Sequence, residues 1–280
     1  MIQGVIVSKN IVIMPAFLTG PEPQFVKNSK RAWMAWCEKY GHEFISIDTP
    51  IAPFEQIKPQ IQKMWTMDIL EANDIEFDQI AQVDYDTYPT DTCPDFFEMT
   101  NHNFAAVLDG GWLPALNRIS RITKEMWFED TTVTLDEFFN TGFVVFNKSH
   151  KPQLDLVKDF FTKHPEDLDN RLRYALDDQI VLNYAVKQSG CPVTFLPRSF
   201  NMVSPENERF FWEGPDHEGR LYDIKTSIRQ CVNIFHFTGD TQRRNMLTGI
   251  LDSFMWKGNF ELDEFEPVVN KLDVRRGKVL

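Results

Sequence analysis

An α/β fold is what this sequence predicts, and three observations carry the prediction. Short apolar runs of strand length alternate with stretches in which apolar residues recur at helical spacing. Several of the apolar runs end directly on a polar or acidic residue, as at Asp84, Asp109 and His236. No internal repeat or low-complexity tract interrupts the pattern.

The elements follow in order. Residues 11–17 read as a first strand, and Pro21 and Pro23 then lead into a helix over 24–40. Trp33, Trp36 and Tyr40 recur along one side of that helix, and Gly41 is a natural stop. Residues 43–47 form a second strand. A helix over 55–72 carries Ile57, Ile61, Trp65 and Ile69 at intervals of four. The run 79–83 is a short strand leading into Asp84-Tyr85-Asp86, and 105–108 is another ending at Asp109. Residues 143–147 are a strand preceded by the turn-like Asn140-Thr141-Gly142. Helical patterns cover 154–161 and 179–188, and strands cover 193–196 and 233–235, the last ending at His236. From about 199 to 229 the pattern breaks into a polar, turn-rich stretch studded with aromatics, read as an irregular excursion of one domain spanning 1–280. The charged tail after Phe260 reads as peripheral.

Composition narrows the function. The formal charge is −12 over 280 residues, a poor match to a nonspecific nucleic-acid binder or a protein that coats anionic membranes. No window reaches the ~18 apolar residues of a membrane span. With Met1 as the start, the short apolar piece that follows, broken by Pro15, reads as a strand and not as a leader, which points to a cytoplasmic protein. Cys37, Cys93, Cys191 and Cys231 are widely spaced and form no CxxC pair, as expected of reduced thiols.

Ligands of open α/β sheets bind beyond the carboxyl ends of the strands. The strand-end residues Asp84, Asp86, Asp109 and His236 therefore converge on one edge. Asp84 and Asp86, one residue apart after an apolar strand, suit a hard divalent cation. His236 is followed by Gly239 and then by Arg243 and Arg244. A glycine lets backbone N–H groups approach a phosphate, and an arginine grips it. Asn140, Asp178 and Gln179 bring amides and a carboxylate suited to a polyhydroxyl ligand. Taken singly, each has a plainer reading: a turn for Asn140, a helix cap for Asp178, a core histidine for His236.

In this order, over about 11–244, the motifs resemble the metal-dependent glycosyltransferases of the GT-A fold, especially the retaining family 8 enzymes and, in the first third, family 34. The shared elements are an N-terminal base-binding strand, a cation-bearing helix, Asp-x-Asp, a strand ending in Asp, Phe-Asn-x-Gly, Asp-Gln-x-x-Leu-Asn and His-Phe-x-Gly. The resemblance implies a Rossmann-like central mixed sheet flanked by helices, Asp84, Asp86 and His236 as ligands of Mn²⁺ or Mg²⁺, and Lys63 and Tyr85 beside the donor. It implies Ala16 or Phe17 at the nucleobase, and Gly239 and a following cation at the diphosphate. It also implies Asp109, Asn140, Asp178 and Gln179 around the donor sugar. The family usually carries Lys three residues after the glycine. Here that position is Gln242, so Arg243 is expected to take the contact through a small loop shift.

The implied activity is transfer of a hexosyl unit from a nucleotide-diphosphate sugar, UDP-linked, to a glycan or other hydroxyl acceptor, with retention and in a bacterial or viral-type cytoplasmic setting. Phe210, Phe211 and Trp212 offer either a stacking platform for the acceptor or a cover for the core edge. Three other classes compete. A nucleotidyltransferase carries a basic, Gly-rich loop after its first strand, whereas this chain reads MPAFLTGPEPQF there. A non-catalytic carbohydrate-binding module would not keep every expected ligand. A two-carboxylate glycosidase would need no nucleotide.

Overall fold

The computed structural model describes residues 9–109, 124, 128–163, 178–203, 211 and 224–256. Its main sheet contains six strands: β1 (Asn10–Pro15), β2 (Glu43–Ile47), β3 (Gln79–Val83), β5 (Phe104–Leu108), β6 (Phe139–Phe146) and β7 (Val193–Leu196), in the order β2-β1-β3-β6-β5-β7. A second, three-stranded sheet has the order β4-β9-β8, from Thr87–Pro89, Ile234–His236 and Met202–Val203. The seven α-helices are α1 (Gln24–Tyr40), α2 (Pro59–Gln62), α3 (Thr66–Ala72), α4 (Lys151–Lys163), α5 (Asp178–Gln188), α6 (Ile224–Cys231) and α7 (Thr241–Asp252) among the described residues.

The main sheet is covered on both faces, which is why its strands read as continuous apolar runs. Successive residues of β1 alternate between two cores. Ile11 and Ile13 join Ile45, Ile80 and Val144 beneath α3, α4 and α5, while Val12 and Met14 join Ala81, Phe143 and Val145 beneath α1. All six residues of β1 are buried. The aromatic side of α1 works as anticipated. Trp36 stacks on Phe96 with centroids 4.4 Å apart, and its Nε1 donates to Cys93 O at 3.2 Å. Removing such a ring would cost about 3–5 kcal/mol. Gly41, at φ 74°, closes α1 with its N–H on the last-turn carbonyls.

The strand directions position the site. β1, β2 and β3 run parallel, and β5 and β7 are parallel to each other, whereas β6 runs antiparallel to both β3 and β5. The amino end of β6 therefore lies at the same edge as the carboxyl ends of β3 and β5. Asn140, Thr141 and Gly142 are inside β6 and not in a turn before it, contrary to the sequence expectation. The register shifts between Ala106 and Val107, where β5 pairs with β6.

Two further expectations change. The helix over 55–72 is two pieces joined by a 3-10 turn at Lys63–Trp65. Pro59 takes the first helical position and biases Lys58 to extended backbone (φ −60°, ψ 147°), so Ile57 is left outside the helix. The irregular stretch over 199–229 is shorter than expected. It contains a 3-10 turn at Arg198–Phe200, strand β8 and the start of α6. Phe211 packs its ring 5.5 Å from Phe235, covering a core, while Phe210, Trp212 and the tail after Phe260 lie outside the described residues. All four cysteines are free thiols, two of them buried.

Candidate active site

The site is assembled by two short pieces of backbone. After β3 the chain turns at Asp84–Thr87: Thr87 donates to Asp84 O from both its N–H (3.1 Å) and its Oγ1 (2.6 Å). β4 then pairs antiparallel with β9, setting Thr87 opposite His236, and the Phe237 N–H donates to Asp86 O at 2.8 Å. On the other side the Asp84 N–H donates to Gly142 O in β6 at 2.9 Å. Asp84, Asp86 and His236 are thereby brought together with one ligand atom of each within 4.8 Å of the others.

They line a cavity of about 530 Å³ together with Pro15, Phe17, Leu18, Thr19, Pro59, Gln60, Lys63, Tyr85, Asn140, Thr141, Gly142, Asp178, Gln179 and Thr238. Nine of the thirteen residues expected from the sequence thus line one space. The other four are placed elsewhere. Ala16 faces the core beside Trp33, its N–H bonded to Ile47 O. Asp109 sits behind Gln179 and accepts from its Nε2 at 2.5 Å. Gly239 holds φ 119° immediately before Asp240, which caps α7. Arg243 is in the first turn of α7, its N–H bonded to the Asp240 carboxylate at 3.0 Å.

The cation that reaches Asp86 is the next residue, Arg244. Arg244 Nη2 lies 3.0 Å from Asp86 Oδ2, and the guanidinium stands 5.2 Å from the centroid of Phe25. No loop shift intervenes, because the helix starts directly after its aspartate cap, and each helical step turns the side chain by about 100°. Sequence reasoning also missed Thr141 and Asn201. Thr141 Oγ1 donates to Asp178 Oδ2 at 2.7 Å, and Asn201 Oδ1 is 3.0 Å from His236 Nδ1. Thr141 lay within the strand motif, whereas Asn201 had no signal beyond its place in the polar excursion.

Lys63 is the electrostatic centre. Its Nζ lies 3.0 Å from Asp84 Oδ1 and 2.7 Å from Asp178 Oδ2, with Thr141 O at 3.3 Å. Burial pushes the Lys63 pKa down, but the Asp178 and Asp84 charges outweigh it and hold the pKa well above the ordinary value. Burial pushes the Asp84 carboxyl up and Lys63 pulls it back only in part, leaving it raised. For Asp86 the upward push of burial is overcome by His236 and Arg244, and the carboxyl is held low. Burial also works against the His236 cation, but Asp86 and Asp84 overcome it and raise the pKa. The site thus favours positive charge at the junction of the three residues.

That donor set fits a divalent cation. Two carboxylates and an imidazole suit Mn²⁺ or Mg²⁺, and the imidazole has its other nitrogen held by a side-chain oxygen, as is usual for metal-binding histidines.

Gly142 is required for this packing. A Cβ there would overlap His236 Cε1 and stand 2.6 Å from its Nδ1 and 2.9 Å from Asn140 Oδ1. Gly142→Ala is therefore expected to displace His236 and weaken Mn²⁺ binding on the order of tenfold or more, as loss of ligand orientation does elsewhere. Calorimetric Mn²⁺ titration of the folded variant checks this, and wild-type affinity would show that the ring has room to move.

No family model and no curated protein matches the chain. Solved structures do. A glycosyltransferase involved in the glycosylation of the major capsid of PBCV-1 superposes with a TM-score of 0.54 at 11% identity, covering 87% of this chain and 100% of that one. The galactosyltransferase LgtC in complex with donor and acceptor sugar analogues aligns at a TM-score of 0.46 and 13% identity, over 86% and 95% of the two chains. Mouse xyloside xylosyltransferase 1 aligns at 0.42 and 11%, over 82% and 97%. The first of these likenesses establishes the fold, α/β of the GT-A type with a central mixed sheet. Among the described residues no helix is long and apolar enough to cross a membrane.

Proposed function

We propose that this chain is a metal-dependent glycosyltransferase that moves a hexosyl unit from a UDP-sugar to a glycan or other hydroxyl acceptor with retention. The convergence of Asp84, Asp86 and His236 beside Lys63, in one cavity at the strand ends, is the observation that carries the reading. The shared fold adds to it.

In this reading Asp84, Asp86 and His236 hold Mn²⁺ or Mg²⁺, and the metal supplies Lewis-acid stabilisation of the charge that develops on the departing diphosphate. Phe17, just after β1, would offer a face to the nucleobase, and Tyr85, which lines the same cavity, would stand beside the donor. Lys63 is already preorganised between two carboxylates, so its charge needs no reorganisation as the reaction proceeds. Asn140, Asp178 and Gln179 line the part of the cavity where the sugar would lie, with Asp109 fixing the Gln179 amide from behind. The Asp178 carboxylate, held by Lys63 and Thr141, would stabilise positive charge on the sugar ring. Transfer with retention breaks the bond from anomeric carbon to diphosphate oxygen and forms the bond to the acceptor oxygen on the same face. The acceptor proton leaves to the diphosphate.

UDP binding is expected to require the metal. Calorimetry with Mn²⁺ and with EDTA checks this, and equal affinity in both would remove the metal bridge from the proposal. A screen of nucleotide sugars for slow Mn²⁺-dependent hydrolysis then identifies the donor, because water takes the place of the acceptor. Coupling of a nucleoside triphosphate to a sugar phosphate, without sugar transfer, would replace the reading with a nucleotidyltransferase.

A further inference from the structure

A continuous series of side-chain hydrogen bonds starts behind the cavity and ends on His236. Gln179 Nε2 donates to Asp109 Oδ2 (2.5 Å), Asn140 Nδ2 to Gln179 Oε1 (2.9 Å), and Asn201 Nδ2 to Asn140 Oδ1 (2.9 Å). His236 Nδ1 lies 3.0 Å from Asn201 Oδ1. Each amide in such a series could in principle be turned end for end, reversing every bond. Two groups forbid it here. A carboxylate only accepts, so Asp109 compels Gln179 to present its NH₂ and to leave its oxygen for Asn140. The Gly142 backbone N–H only donates, and it points at Asn140 Oδ1 from 2.8 Å, which fixes that amide a second time. Asn201 must then offer its NH₂ to Asn140 and its oxygen to His236, and the ring must donate from Nδ1.

We infer that Asn201 is a positioning residue that holds His236 as the Nδ1–H tautomer with Nε2 turned to Asp84 and Asp86, and that Asp109 and the Gly142 N–H set its orientation. Asn201 is itself buried, 4% exposed, and is not among the residues lining the cavity. His236 Nε2 is 3.4 Å from Asp86 Oδ1 and 3.9 Å from Asp84 Oδ2, on the side where the metal is proposed. The significance for metal binding rests on the reading of these three residues as metal ligands. The orientation of the ring does not. Asp109, read from the sequence as a sugar-holding residue, thereby acquires a second consequence at the opposite end of the site. Reversing the series would set two oxygens against each other at Asp109–Gln179 and two N–H groups against each other at Asn140–Gly142. Each reversal would exchange a hydrogen bond for a repulsion between like partners, which water at these half-buried positions compensates only in part.

Nitrogen-15 spectra of the metal-free, histidine-labelled protein, recorded with the His236 ring neutral, test the orientation directly. The proton is expected on Nδ1, and a proton on Nε2 overturns the inference. Titration with Mn²⁺ alone, followed through the paramagnetic resonance of the free ion, tests the consequence. Asn201→Leu keeps the volume and loses the acceptor, and is expected to weaken Mn²⁺ binding by ~10–100-fold, the range for outer-shell partners of a metal ligand. Asn201→Asp keeps an acceptor at Nδ1 but sets an oxygen against Asn140 Oδ1, and is expected to lose clearly less Mn²⁺ affinity than the leucine variant. Wild-type affinity in the leucine variant, or equal loss in both variants, overturns the positioning role. Should the leucine variant fail to fold, the wild-type spectrum and the aspartate variant still decide. A wild-type protein that carries its proton on Nδ1 but binds no Mn²⁺ would end the metal reading and leave the orientation standing.

Discussion

Lys63→Met is expected to destabilise the metal-free protein by about 3–5 kcal/mol near neutral pH, the cost of leaving a buried charge without its partner. The lysine is 4% exposed and separates two carboxylates, Asp84 and Asp178. Methionine fills similar volume, so the loss is electrostatic and its pH dependence is diagnostic. Lys63 has a raised folded pKa, so its own contribution persists at all pH values below the unfolded lysine value and fades only in strong alkali. Asp84 already has a raised folded pKa through burial, and in the variant it loses the cation that counters that burial most. A carboxyl raised in the folded state binds protons more readily than in the unfolded chain, so the deficit of the variant should shrink as the pH falls toward the ordinary carboxylate range. Denaturant unfolding of both proteins at neutral and mildly acidic pH measures this. A deficit that does not change with pH would mean that packing, and not charge, was lost.

Asp86→Asn is expected to reduce Mn²⁺-dependent UDP binding by more than about 100-fold, beyond the upper end of what loss of an outer-shell partner does. The amide keeps the shape of the side chain and can still accept from Arg244, but it cannot supply the anionic oxygen a divalent cation needs. From the sequence alone Asp86 reads as a strand-end acid whose replacement costs within about 1 kcal/mol. The structure corrects that. Asp86 is 6% exposed, lies 3.4 Å from His236 Nε2 and is paired with Arg244, so truncation to alanine would leave two cationic groups facing each other in a buried space. The asparagine is therefore the better probe, with a stability cost of about 1–3 kcal/mol. The low folded pKa of Asp86 gives the wild type stability that is present above the unfolded carboxylate value and lost as the pH falls through the folded one. Calorimetry with UDP and Mn²⁺, beside a thermal melt of the metal-free variant, separates the two effects. Undiminished UDP binding in a folded Asp86→Asn protein would show that the motif is an acidic turn and no metal site.

What could be read from the sequence follows from where the physics is local. The parallel strands were legible because a strand covered on both faces must be apolar throughout, and the acidic residues that end β3 and β5 mark the ligand edge. Helix α1 was legible because its aromatics and Gly41 are a periodicity and a stop in one stretch of chain. The start of β6 was not, because Asn140-Thr141-Gly142 has the composition of a turn and becomes a strand only through its neighbours β3 and β5. Arg243 and Arg244 could not be told apart, because the distinction depends on the residue at which α7 begins. Asn201 was invisible for a different reason. Its role is defined by two partners, 61 and 35 positions away, and by nothing in its own surroundings in sequence.

The three-residue ladder between β4 and β9 also has a bearing on how the protein is held together in time. It joins Thr87 to His236, 236 − 87 = 149 positions apart. Closing a flexible loop of that length costs roughly 4 kcal/mol of chain entropy. So short a ladder returns little of that cost alone, and the packing of Tyr88, Phe235 and α7 must supply the rest. A chain that lacks the segment from β9 onward would hold Asp84 and Asp86 without His236. If the three residues hold Mn²⁺ as proposed, its full binding free energy belongs to the chain that has closed this loop, and saturating metal should slow opening of the β9–α7 segment while leaving the exchange of β1 amides governed by global unfolding.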